Sequence, residues 1–132
     1  MKLQYAPDIQ EKANDIIREL DLSYIDSTRI IYMRSSGSKA NAYARIWELP
    51  RIWQKALEVE PHYVIEVLSE HFDGRSEEDK ERTIIHELLH ISKNFTGSLV
   101  PHKCFGKMRV GHVAVEKLHK EYRNKKSINK SF

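Results

Sequence analysis

The chain has 132 residues, of which 40% are hydrophobic and 31% charged, a composition that predicts one soluble globular domain over residues 1–132. Lys and Arg number 22 against 19 Asp and Glu, and a net charge of +3 is too small for the strong field of a dedicated nucleic-acid-binding domain. The longest apolar run is the four residues 30–33, residues 1–8 lack the apolar stretch of a signal peptide, and Cys104 is the single cysteine, so membrane spans, secretion and internal disulfides are not expected and a cytoplasmic location is.

Residues 8–20 come first. Asp8 and Glu11 have the spacing of a capping box, and Ile9, Ala13, Ile16, Ile17 and Leu20 recur at helical intervals, which predicts an amphipathic helix. Residues 29–33 are β-branched and aromatic, the turn-forming Ser35-Ser-Gly-Ser38 follows, and residues 42–47 are again aromatic-rich, the pattern of a hairpin. Pro50 suits the first turn of a short helix to Leu57, because a missing amide hydrogen there leaves no bond unmade. Residues 62–68 read as a third strand, and Trp47 and Trp53 are expected in the core rather than on a binding surface.

Ser76, followed by Glu77, Glu78 and Asp79, starts the clearest helix, with a capping hydroxyl and acids at the positive end of the helix dipole. It is predicted to run to about Lys93. Ile84, Ile85, Leu88, Leu89 and Ile91 cover nearly its whole girth, so it is buried, and it carries His86, Glu87 and His90 inside. Residues 94–104 form an irregular loop, and a last helix starts near Val110. Its basic residues extend into a tail from about 123, which includes Arg123, Lys125, Lys126 and Lys130 and is the one segment suited to touch nucleic-acid phosphate. The fold class is α+β, with a small, mostly antiparallel sheet packed by an active-site helix and flanking helices.

His86-Glu87-Leu88-Leu89-His90 is the H-E-x-x-H pattern. Residues four apart on a helix differ by only about 40° around its axis, so both imidazoles reach one ion, while Glu87 projects beside them toward water. Two histidines and a carboxylate on a buried stretch all need partners, and a metal ion supplies them at once. A catalytic zinc takes three protein ligands and keeps one position open. Downstream candidates for the third ligand are His102, His112, Glu116 and His119, with Cys104 as a fourth ligand that would close the site. The metzincin continuation is absent, since Lys93 and Thr96 occupy its glycine and histidine positions. A donor for a developing oxyanion is sought among Arg109, His112, Tyr63 and Tyr122.

The runs Ile84-Ile-His-Glu-Leu-Leu-His-Ile91 and Phe95-Thr-Gly-Ser-Leu-Val-Pro-His102 resemble the phage-type metallopeptidases of viruses, bacteria and archaea, in which a loop ending in Pro-His follows the H-E-x-x-H helix. Residues 44–53 and 60–66 are similar to that family as well, and the likeness spans about 42–122. The resemblance implies a minimal zincin-like domain, a zinc ion held by His86, His90 and His102, Glu87 as catalytic carboxylate and general base, and peptide-bond hydrolysis by zinc-activated water. In such folds a strand beside the active-site helix offers its edge to an extended peptide, a role to which residues 62–68 are suited. Two other functions are compatible with the same residues: a zinc-dependent nuclease or other hydrolase aided by the basic tail, and a non-catalytic binding module stabilised by zinc.

Overall fold

A computed structural model describes residues 1–100 and 111–130 of the chain. Its elements are β1 (Lys2–Tyr5), α1 (Pro7–Glu19), a 3-10 turn at Ser27–Arg29, β2 (Ile30–Ser36), β3 (Ala44–Glu48), α2 (Arg51–Leu57), β4 (Tyr63–Leu68), α3 (Ser69–Phe72), α4 (Glu77–Leu89) and α5 (His112–Lys130). The fold is α+β, with one four-stranded sheet of order β1-β2-β4-β3. β1 runs antiparallel to β2 and β3 antiparallel to β4, while β2 and β4 are parallel.

The expected hairpin does not form. β4 lies between β2 and β3, pairing Ile65 with Tyr32 on one side and with Ile46 on the other. The reason is burial: five of the six β4 side chains are inaccessible, whereas β3 carries the half-exposed Trp47, so the more apolar strand takes the centre. β1 was not expected from the sequence. All four of its residues are exposed, and its only structural signal is the alternation of Leu3 and Tyr5.

One face of the sheet, bearing Tyr32, Tyr63, Ile65 and Val67, packs against Ile9, Ala13 and Ile16 of α1 and Ile84, Ile85 and Leu88 of α4. Tyr122 and Val115 of α5 complete this core from the far side of α4. The opposite face carries a polar cluster in which Glu66 accepts from Ser35 Oγ, Arg45 Nε (2.8 Å) and Trp47 Nε1 (2.8 Å). Trp47 and Trp53 are therefore not core residues: both are about half-exposed, the first held by its indole N–H, the second on α2, whose side chains are almost all exposed. Among the described residues no helix is long and apolar enough to cross a membrane.

Candidate metal centre

α4 begins as its sequence dictates, with Ser76 Oγ accepting from the Asp79 amide and three acids in the first turn. It ends earlier than expected, at Leu89, with His90 as its C-cap. His90 retains helical angles (φ −73°, ψ −16°), so the four-residue spacing to His86 is preserved and the two imidazole centroids lie 5.0 Å apart. Beyond it the chain turns back. Ile91 bridges Leu99, the Val100 amide donates to the His90 carbonyl (2.6 Å), and Gly97 supplies the positive φ of +93° that the turn needs.

This return fixes the second histidine. The Val100 carbonyl accepts a hydrogen bond from His90 Nδ1, which leaves Nε2 as the nitrogen able to bind a metal, the usual outer-shell device of imidazole ligands. Tyr63, at the start of β4, secures the loop in turn: its hydroxyl accepts from the Gly97 amide and donates to the Ser98 carbonyl, and its ring meets Phe95 edge-on. The Tyr63 hydroxyl is thus engaged by the loop, and Tyr63 is not among the residues that line the cleft. Only its place in the tertiary structure reveals this role.

His86, Glu87 and His90 line one cleft of about 840 Å³ between α4 and β3, closed at one end by His112, Val115 and Glu116 of α5. Glu87 is buried, and desolvation pushes its carboxyl up to about 7 in the metal-free protein. Two imidazoles one turn apart beside a buried carboxylate are a donor set that fits zinc. Among the described residues no group of three or more His, Cys, Asp and Glu forms a complete metal site. His102, Cys104 and Arg109 lie outside the described residues.

The remaining candidates separate cleanly. His119 is withdrawn from the cleft: its Nε2 bonds Glu81 Oε1 at 3.0 Å in a buried cluster with Lys12 and Arg123. Glu116 borders the cleft but ion-pairs with Arg82 at 2.7 Å. Tyr122 is buried and donates to Asp15. Of the suggested oxyanion donors within the described residues, only His112 lines the cleft. The basic residues after 122 continue α5, and Arg123, Lys125 and Lys126 meet Glu81, Asp21 and Asp15 respectively.

The strand beside the cleft is also reassigned. β4 is the central strand, so it has no free edge; among the described residues β3 pairs only with β4, and it borders the cleft along residues 44–46. An H-E-x-x-H helix set against the edge strand of a small α+β sheet is the layout of a metal-dependent peptidase domain. The chain belongs to the family described as "Putative phage metallopeptidase", whose model matches residues 1–123. That membership carries, at its coarse level, a metal ion and a peptide substrate. No curated protein and no solved structure matches the chain.

Proposed function

We propose that the protein is a cytoplasmic zinc-dependent peptidase in which His86, His90 and His102 hold the ion and Glu87 is the general base. The observation that carries this reading is the bond from His90 Nδ1 to the Val100 carbonyl. It aims His90 Nε2 for ligation, and it brings the chain beside His90 two residues before His102, a separation of at most about 7 Å between Cα atoms. His112 and His119 lie further along the chain, on α5.

Zinc bound there supplies a Lewis acid that makes water acidic near neutral pH and polarises a carbonyl. Glu87, buried beside the pair, takes the proton of the attacking water and returns it to the departing amine. The edge of β3 away from β4, unpaired among the described residues, would offer backbone donors and acceptors to an extended peptide and hold its scissile bond over the helix. His112, which lines the cleft from α5, is the donor this reading assigns to the developing oxyanion.

The test is elemental analysis with X-ray absorption on protein purified without chelator. One zinc with three imidazoles and one oxygen is expected, largely lost in His102→Ala. A sulfur ligand, or zinc undisturbed by that change, would overturn the ligand set. Glu87→Gln is expected to keep the zinc and abolish peptide hydrolysis; hydrolysis retained by this variant would exclude the general-base role.

A further inference from the structure

Among the described residues three arginines line the cleft, and they differ in how their hydrogen-bonding capacity is spent. Arg45 donates to both oxygens of Glu66, from Nε at 2.8 Å and Nη2 at 3.3 Å. Arg82 lies between two carboxylates, 2.9 Å from Asp79 Oδ1 and 2.7 Å from Glu116 Oε1. Arg75 has no carboxylate within hydrogen-bond distance among the described residues. Its nearest carboxylate oxygen among the described residues is Asp79 Oδ2, at 4.0 Å, and the other oxygen of that group already serves Arg82.

The Arg75 guanidinium is nevertheless held in place. Nη1 donates to Thr83 Oγ1 at 2.5 Å, Thr83 Oγ1 donates onward to the Asp79 carbonyl, and the guanidinium carbon stands 3.7 Å over the ring of Tyr43. An aromatic face and a hydroxyl fix the plane of the fork, the Asp79 carboxylate at 4.0 Å offsets its charge only in part, and its other N–H groups meet no hydrogen-bond acceptor among the described residues. The side chain is 22% exposed, so the fork is confined yet open to the cleft it lines. A planar, pre-oriented guanidinium in a partly desolvated wall matches a carboxylate, which accepts two parallel N–H bonds. Asp79 and Glu116 nearby would repel a dianion such as a phosphate monoester more than a single carboxylate.

Thr83 stands three residues before His86 on α4, a rise of about 4.5 Å. An extended peptide advances about 3.3 Å per residue, so a group on Arg75 is one or two residues from a bond placed over His86 and His90. We propose that Arg75 is the carboxylate receptor of the cleft and selects peptides bearing an acidic side chain, or their terminal carboxylate, one or two residues from the bond to be cut. This rests on the peptidase reading for its substrate class and supplies the specificity that reading lacks.

The test uses fluorescein-labelled hexapeptides identical except for Glu or Gln at one position, one or two residues to either side of the centre, and a parallel set ending in a free acid or an amide. Binding to zinc-loaded Glu87→Gln protein is followed by fluorescence anisotropy. The acidic member of at least one pair is expected to bind about tenfold more tightly, with the Glu/Gln pairs reporting a side chain and the acid/amide pairs a terminus. In the Arg75→Gln background that ratio falls to within about twofold. Arg75→Lys, which keeps the charge and a donor for Thr83 but loses the fork, guards against a folding defect and retains only part of the ratio. Equal affinities within every pair, a ratio that survives Arg75→Gln, or no binding by any peptide would each overturn the receptor. Cleavage by the wild-type protein separates the two ideas: cleavage of Glu and Gln peptides alike leaves a peptidase without this receptor, whereas Arg75-dependent binding without cleavage leaves the receptor without the peptidase.

Discussion

Glu81 is accepted into the core between α1, α4 and α5 because two cations and an imidazole reach it. Lys12 Nζ lies 3.0 Å from Oε2, while His119 Nε2 (3.0 Å) and Arg123 Nε (2.7 Å) share Oε1. Removing one member of a buried charged cluster leaves the others uncompensated. Glu81→Ala is therefore expected to lower stability by about 3 kcal/mol, read from urea unfolding. His119→Ala should destabilise less and leave metal content unchanged, because this histidine belongs to the cluster and not to the cleft. In the sequence His119 is indistinguishable from a ligand: a histidine downstream of H-E-x-x-H on a helical face. The carboxylate that claims it lies 38 residues upstream, a pairing only the packing of α4 against α5 creates.

At the scale of elements, the loop after α4 matters as much as the helix. Gly97 has φ of +93°, and an added Cβ would stand 2.4 Å from Gln54 Nε2, itself bonded to the Leu49 carbonyl at 2.8 Å. Gly97→Ala is expected to cost about 1–3 kcal/mol through backbone strain. It should also weaken zinc binding severalfold, since this turn carries Val100 to His90; a zinc titration alongside thermal melting checks both. Zinc affinity untouched by a destabilised loop would show that the Val100 bond does not orient the ligand. The helical reading of α4 was legible from Ser76 and its periodic apolar residues, but not its end. Nothing local stops a helix at Leu89; the chain leaves because the His90 and Ile91 backbones find partners in Val100 and Leu99.

Across the whole molecule, ion pairs join elements distant in sequence. Arg34 of β2 bonds Asp8 of α1 and Asp73 after α3, and Asp15 of α1 accepts from Tyr122 and Lys126 of α5. Burial pushes the carboxyls of Glu66, Glu81 and Asp15 up, but bonds from Arg45, Ser35 and Trp47, from His119 and Lys12, and from Tyr122 and Lys126 outweigh it and hold all three below their ordinary values. A folded-state value below the unfolded one means that the unfolded chain binds protons first. The stability these groups provide is thus complete above their unfolded values near 4, and is lost as pH falls through their lower folded values. Their contribution to the melting temperature, followed from pH 7 downward, should hold until about pH 5 and then fall, while Glu87, raised to about 7 by burial, acts in the opposite sense and favours the folded state as it is protonated. In Glu81→Gln the fall should be shallower, because one of the linked carboxylates is gone.

The sequence by itself determined what depends on neighbours within a turn or two: the helix of residues 8–20, the capped α4 with its histidines and carboxylate on one side, three of the four strands and the α+β class. Spacing along a helix fixes angle around it, so H-E-x-x-H is geometry already written in the chain. Only the tertiary structure decided which strand lies at the centre, which edge borders the cleft, and which polar residues the core withdraws from chemistry. Those outcomes rest on competition for burial among segments far apart in sequence. β4 displaced the hairpin because its two faces were the most apolar, and Tyr63, Tyr122 and His119 found partners in the core that no local pattern announces.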